Sequence, residues 1–164
     1  MRLSYGPNGM LQIDGARIAF KNFSGEKSMY NRDGKRTFAL IIDDEEIAQE
    51  LQDRGWNVKI KPPYEPGDLP FMYLEVKVAF NEFGPKVMLV SGGTKRRLYE
   101  DSIGCLDKAR IERVDLLDIA GRPYENINGR SGISAWLRCM EVHQAIDRFD
   151  ERYGDFEDDG NPPF

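Results

Sequence analysis

Residues 71–80, with the sequence FMYLEVKVAF, are the stretch that decides the fold. Apolar side chains stand at positions 72, 74, 76, 78 and 80, and the positions between them include Phe71, Tyr73, Glu75 and Lys77. Strict alternation over this length predicts a β-strand with one face in a core and the other toward solvent. The apolar face already accounts for the core, so Tyr73 is predicted to be accessible.

Similar short runs continue on both sides, separated by Gly, Pro, Asn and Asp residues that favour turns. The predicted strands cover residues 16–23, 36–42, 56–61, 71–80, 86–90, 111–119 and 133–142. The turn after residue 80 predicts a hairpin between the strands 71–80 and 86–90. In residues 16–23 the alternation places Phe20 on one side of the strand and Lys21 and Phe23 on the other.

Two helices are predicted between the strands, and a short helical stub is predicted from Gln144 onward. The first begins at Asp43 and Asp44, with Glu46 following Asp43 as in a capping box, and it ends at Gly55. The second is a short helix over residues 101–110. Many short strands with one or two short helices predict a mainly β domain, an OB-like closed five-stranded or slightly elaborated barrel, over residues 1–149. A β-sandwich is the alternative.

The net charge of −5 is unevenly distributed. Residues 150–164 hold six of the 28 acidic residues and one of the 23 basic residues, which leaves 22 of each in residues 1–149. A neutral body can bind a polyanion if its bases gather on one face, because the local field attracts phosphate. Residues 150–164 are predicted to be a disordered acidic tail.

Cysteine and histidine content is low. Cys105 and Cys139 have no metal-ligand spacing and His143 is the only histidine, so no zinc site and no cofactor are predicted. The absence of a long apolar run or a leader-like N-terminus leads us to expect a soluble cytoplasmic protein.

Aromatic and basic residues are interleaved on the strands. Sequence-tolerant binding of single-stranded nucleic acid needs rings that stack on bases and cations that meet phosphates. The predicted binding residues are Lys21, Phe23, Tyr30, Arg32, Lys35, Arg36, Trp56, Lys59, Lys61, Tyr73, Lys77, Lys95, Arg96, Arg97, Tyr99, Trp136 and Arg138. Phe38 is expected to be buried. Residues 95–97 follow Gly92 and Gly93 and either close over a bound strand or form a charged hairpin tip.

The acidic tail ends on a Pro-Phe pair. An aromatic ring beside carboxylates suits a partner that has an apolar pocket rimmed by Lys and Arg. The residues predicted to bind such a partner are Asp155, Glu157, Asp158, Asp159, Pro162, Pro163 and Phe164. The alternative is an acidic end that only keeps the protein in solution.

Several segments resemble bacteriophage single-stranded DNA-binding proteins with an OB-like fold. They are residues 20–25, 55–59, 90–92, 122–124, 128–129 and 131–132. The acidic Pro-Phe ending is also similar to that of bacterial and phage proteins of this kind. The resemblance implies binding and protection of single-stranded DNA in phage-type replication or recombination, with partner proteins recruited by the tail. Ala120 and Gly121 look like an insertion into the family's pattern.

Two other functions stay open. Asp43 and Asp44 could hold Mg²⁺ in a metal-dependent nuclease or other phosphate enzyme, although a helix N-terminus favours acids for its own reasons. The chain could also be an acidic protein-interaction module. We expect no enzymatic activity, and homo-oligomerisation and the choice between DNA and RNA stay open.

Overall fold

The computed structural model describes residues 1–26, 34–63, 65–125 and 128–145, and within these ranges the protein is mainly β. The ten strands in these ranges are β1 (Arg2–Tyr5), β2 (Leu11–Asp14), β3 (Ile18–Asn22), β4 (Arg36–Ile42), β5 (Val58–Lys61), β6 (Phe71–Val78), β7 (Lys86–Ser91), β8 (Thr94–Leu98), β9 (Ile111–Glu125) and β10 (Ser131–Gln144). The described ranges also contain the helix α1 (Glu45–Asp53) and 3-10 turns at Pro7–Gly9 and Ile103–Asp107. None of the helices in these ranges has the length and apolar character needed to cross a bilayer.

Most of the strands lie side by side in the order β1-β2-β9-β10-β6-β4-β3. β5 pairs with β6, β7 pairs with β10, and β8 pairs with β7. The predicted hairpin between residues 71–80 and 86–90 is wrong, because β7 pairs in parallel with β10 and antiparallel with β8. Both edges of β6 are already taken, one by β4 and the other by β5 and β10. The strand after the turn therefore has to find another partner.

The observed sheet has more strands than the predicted five-stranded barrel and is less closed. Across the described residues, β3 and β9 are not joined by a continuous ladder. They are linked by one isolated bridge, in which Ala16, two residues before β3, and Val114 of β9 exchange two backbone hydrogen bonds of 2.8 Å.

The core lies beneath the face of β6 that the alternation predicts to be buried. Met72, Leu74, Val76 and Val78 are all buried, and α1 packs Ala48 and Leu51 into the same core. The start of α1 also follows the sequence, although Asp44 is the capping residue. Its Oδ1 accepts a hydrogen bond of 2.8 Å from the backbone N–H of Glu46, which satisfies one of the otherwise unpaired donors of the first turn.

Ala120 and Gly121 do not interrupt β9. They pair in register with Trp136 and Ala135, and the register shifts between β9 and β10 lie further along β10. A Cβ atom at Gly121 would lie 2.6 Å from the Cγ2 of Ile133, so the close packing of the strands requires glycine there.

A bulge in β3 reverses the predicted faces of its last residues. The pairing with β4 shifts register between Ala19 and Asn22, and Phe20 lies at φ 49°. An extra residue in a strand changes which face the following side chains occupy. As a result Phe20 is 61% exposed and Phe23 is fully buried, the reverse of the expectation for both rings.

Candidate nucleic-acid interface

Three aromatic rings meet on the outer face of β6. The ring centroids of Phe20 and Phe71 are 5.6 Å apart, those of Phe20 and Tyr73 are 5.8 Å apart, and those of Phe71 and Tyr73 are 5.5 Å apart. We call these three residues the ring cluster. Strand register explains part of the meeting, because Phe71 and Tyr73 are alternate residues of β6, and the β3 bulge brings Phe20 to them.

Two lysines of β5 lie over the ring cluster. In the antiparallel register Lys59 is opposite Tyr73 and Lys61 is opposite Phe71. The Nζ of Lys61 is 5.2 Å from the Phe20 ring centroid, and the Nζ of Lys59 is 6.0 Å from the Tyr73 centroid. Cations near ring faces at these distances are attracted to the ring quadrupole. In this arrangement the base of a nucleotide can stack on a ring, and the phosphate of the same nucleotide can contact a lysine ammonium group nearby.

A second aromatic site lies further along the same face, on β10. Trp136 is opposite Lys77 of β6, and the cationic atoms of Lys77 and Arg122 lie 5.4 Å and 4.5 Å from its ring. Its Nε1 donates a hydrogen bond of 3.1 Å to Ser134 Oγ, which donates one of 3.1 Å to the backbone carbonyl of Arg122. These contacts hold the indole in place. We call Trp136 with Lys77 and Arg122 the tryptophan site.

A groove of about 460 Å³ lies between the ring cluster and the tryptophan site. The groove opens at the point along β6 where the neighbouring strand changes from β5 to β10. Leu74 pairs with Val58 of β5, and Val76 pairs with Ala135 of β10. Its lining residues are Lys35, Asn57, Lys59, Leu74, Glu75, Lys77, Tyr124, Ile133, Ser134 and Ala135.

Glu75 is the acidic residue of this groove and it pairs with two lysines. Its Oε1 is 3.6 Å from the Nζ of Lys35, and its Oε2 is 3.2 Å from the Nζ of Lys59. Burial opposes ionisation of the carboxyl group, but the hydrogen bond and charge of Lys59 and the charge of Lys35 outweigh it, so the pKa of Glu75 is lowered. Glu75 is therefore an anion at neutral pH.

The strands β7 and β8 form a separate basic hairpin. Lys95, Arg96 and Arg97 are all exposed on β8. The guanidinium carbon of Arg97 is 5.1 Å from the ring of Tyr99, which is 57% exposed. Residues 95–97 thus lie within a strand of the hairpin and not at its tip, and their closure over a bound strand stays a prediction. The three consecutive cations of the hairpin accompany a single aromatic side chain.

Two predicted stacking residues are in the core. Phe23 is fully buried, with its ring stacked at 5.3 Å on that of Phe38, which is buried as expected. Trp56 is 5% exposed and lies behind Gly121. A base cannot reach either ring in this fold, so we leave both residues out of the interface.

Two predicted cations are also engaged within the protein. The Nζ of Lys21 donates hydrogen bonds of 2.9 Å and 2.7 Å to the carbonyl oxygens of Leu106 and Ala109, and burial lowers the pKa of its ammonium. Arg36 lies 3.5 Å from Glu100, and its side chain is mostly buried. These contacts hold segments of the fold together, and we leave both cations out of the interface.

The remaining predicted residues divide into two groups. Arg138 is exposed on β10, within the irregular part of its pairing with β9. The others lie outside the described residues and stay predictions: Tyr30, Arg32, Asp155, Glu157, Asp158, Asp159, Pro162, Pro163 and Phe164.

Three interface residues were missed by the sequence reasoning. Phe71 shares the face of Tyr73 in the alternation, which was a usable signal. Phe20 carried no such signal, because only the bulge exposes it. Arg122 reaches Trp136 through the pairing of β9 with β10, a contact between residues distant in sequence.

One group of potential metal ligands also comes together. Donor atoms of Asp115, Glu141 and His143 lie within 4.8 Å of one another on β9 and β10. The same atoms are already paired, however. The Nε2 of His143 is 2.8 Å from Glu141 Oε1, and the Nε of Arg113 donates to Asp115 Oδ2 at 3.0 Å. We describe this group as a polar network between the two strands.

The fold is similar to solved structures of the single-stranded DNA-binding protein from bacteriophage Enc34. A C-terminally truncated form matches with a TM-score of 0.54 and 12% identity over 90% of this chain and 97% of that one. A second structure of the protein matches with a TM-score of 0.52 and 13% identity over 98% and 100% of the two chains. A third, in complex with ssDNA, matches with a TM-score of 0.50 and 13% identity over 87% and 90%. At these identities the similarity establishes a shared fold.

A sheet face that carries exposed rings and cations is characteristic of proteins that bind single-stranded nucleic acid. No curated protein sequence matches the chain. The family model described as "Putative phage ssDNA-binding domain" matches residues 2–160. The chain therefore belongs to this family of phage single-stranded DNA-binding proteins.

Proposed function

We propose that this protein coats and protects single-stranded DNA during phage replication or recombination, in the host cytoplasm and without catalysing a reaction. The observation that carries the proposal is the placement of the ring cluster and the tryptophan site on one face of β5, β6 and β10. Stacking on such rings contributes about 1–3 kcal/mol per base and tolerates any sequence, since every base has a π-face.

The two aromatic sites are spaced for one continuous strand. Tyr73 and Lys77 are four residues apart on β6, which corresponds to about 13 Å at the usual rise of a β-strand. A DNA strand stacked on Tyr73 would continue along the groove to Trp136. Lys59 and Lys61 would meet its phosphates at one end, and Lys77 and Arg122 at the other. The Enc34 protein, whose fold is similar, has been solved with ssDNA bound, and this supports the assignment.

The proposal includes an OB-like barrel as the binding domain. We assign β3, β4, β6, β10 and β9 to it, because these strands are neighbours in the sheet and the Ala16–Val114 bridge links the first to the last. On this assignment, residues 1–149 bind DNA and residues 150–164 form the tail that recruits partner proteins.

A nuclease is the less favoured function. Asp44 is engaged as the capping residue of α1 through its Oδ1, so its carboxylate has a structural role. An acidic interaction module is disfavoured by the balanced charge of residues 1–149. The family match to a DNA-binding domain favours binding over both alternatives.

Fluorescence anisotropy with labelled single-stranded and duplex DNA of equal length tests the proposal. We expect clear preference for the single strand and marked weakening by salt, with a slope of log K against log salt of about −0.7 per phosphate neutralised. Measurement at two salt concentrations with mixed-sequence and homopolymeric strands would detect sequence dependence. Equal affinity for single strand and duplex would overturn the proposal.

A further inference from the structure

The groove between the two aromatic sites contains a carboxylate where a bound DNA strand would pass. Glu75 lies between Tyr73 and Lys77 on the outer face of β6, and its side chain is 32% exposed. A carboxylate fixed at the centre of this surface should repel the phosphates of a DNA strand. Its presence there therefore calls for an explanation. This inference rests on the proposed function.

Glu75 presents two oxygens to two lysines from different parts of the fold. Lys59 comes from β5, and Lys35 immediately precedes β4. Each lysine meets a different oxygen of the carboxylate, at 3.2 Å and 3.6 Å. A phosphodiester group also has two charged, non-bridging oxygens, so it can take the same pair of lysines. Both lysine side chains are 43% exposed and can follow an incoming anion into solvent.

We propose that the groove is a phosphate site of the DNA path and that Glu75 occupies it in the free protein. When the strand binds, a backbone phosphate displaces the carboxylate from Lys35 and Lys59. When the strand leaves, Glu75 pairs with the lysines again. Glu75 therefore acts as an internal competitor, which lowers both the affinity for single-stranded DNA and its dependence on salt.

The substitution Glu75→Gln tests this directly, because it removes the charge and keeps the size of the side chain. Affinity for an oligo(dT) strand should rise several-fold at low salt. The slope of log K against log salt should become steeper by up to about 0.7, the value for one phosphate, since no displaced carboxylate is left beside the bound phosphate to take up a cation again. Unchanged or weaker binding by Glu75→Gln would overturn the inference.

Glu112→Gln is the matched control. Glu112 also pairs with a cation, at 3.6 Å from Arg113, but it lies near the start of β9, whereas Arg122 of the tryptophan site lies near its end. The control removes the same charge from the protein. It should change affinity little, and an equal rise in both variants would show that only net charge matters and would overturn the inference.

A double-mutant cycle separates competition from positioning. Lys59→Gln should reduce affinity more in the Glu75→Gln background than in the wild-type background, because only there is Lys59 released from the carboxylate. An equal or smaller loss in that background would mean that Glu75 does not compete for Lys59. Circular dichroism would check folding, and Glu75→Ala would replace Glu75→Gln if that variant did not fold. If the wild-type protein shows no preference for single strands, the proposed function fails. If the wild type prefers single strands but the effects of the two substitutions simply add, only this inference fails.

Discussion

The ring cluster and the Phe23–Phe38 pair are both built mainly from phenylalanine and lie in opposite environments. Phe23 and Phe38 stack in the core with 0% and 1% exposure, whereas Phe20, three residues before Phe23, is 61% exposed beside Phe71 and Tyr73. The β3 bulge directs one phenylalanine outward and the other inward. Register therefore decides whether an aromatic residue in a strand lies in the core or on the surface, and its residue type alone does not.

The clusters also differ in their neighbours. Lysines of β5 lie over the outer rings, and the inner pair is surrounded by aliphatic core residues. An exposed ring contributes little buried apolar area to the stability of the fold. A group of such rings on the surface therefore fits a binding role. The inner pair instead stabilises the fold through buried apolar area.

The largest effect should come from the inner cluster. Phe23→Ala should lower the free energy of unfolding by about 3–5 kcal/mol, because it leaves a cavity beside Phe38. Phe20→Ala is the matched variant and should leave stability nearly unchanged while weakening DNA binding. Urea denaturation and anisotropy would measure the two quantities. Similar stability losses in both variants would break the distinction between the clusters.

Tyr73→Ala should produce the next largest effect. It should weaken binding to single strands by about 1–3 kcal/mol through lost stacking, with little change in stability. Tyr99→Ala, on the basic hairpin, is the comparison variant and should weaken binding less, because Tyr99 stands outside the ring cluster. A large fall in melting temperature for Tyr73→Ala would show that its ring belongs to the core.

The basic hairpin should contribute charge without stacking. Replacing Lys95 and Arg97 together by Gln should make the slope of log K against log salt shallower by up to about 1.4. Affinity should fall equally for all sequences, and the loss should shrink at high salt. A salt series of binding curves would measure this, and an unchanged slope would place the hairpin outside the DNA path.

The smallest effect on DNA binding should come from the tail. Deletion of residues 155–164 should leave the fold intact and raise affinity modestly at low salt, because tethered carboxylates compete with phosphates. Phe164→Ala keeps the charges, so DNA binding should hardly change while capture of replication proteins falls. Pull-down of such proteins by both forms would measure this, and equal capture would leave the tail as a solubilising end.

Much of the architecture followed from local pattern. The alternation of residues 71–80 identified β6 and its buried face, and turn residues separated most of the other strands that form. The helix start at Asp44 was also readable, because a capping residue acts on the donors of the next turn. Strands β1, β2 and β8 were missed.

Pairing between distant strands was not readable in the same way. The partner of β7 depends on which edges of β6 are already occupied, a property of the whole sheet. The environment of Glu75 likewise depends on Lys35 and Lys59, which β4 and β5 bring to it from either side of β6.

The sequence by itself determined a mainly β fold, the buried face of β6, the position of Tyr73 on the opposite face of that strand and the resemblance to phage single-stranded DNA-binding proteins. These features depend on the two-residue period of a strand and on short motifs, which are local properties of the chain. Tertiary structure alone decided that Phe20 is exposed and Phe23 buried, that Lys21 is bound to backbone carbonyls, and that a groove separates two aromatic sites. The physical reason is that a bulge changes the face of the residues that follow it in its strand, and that pairing between distant strands decides which side chains meet. Local alternation specifies neither.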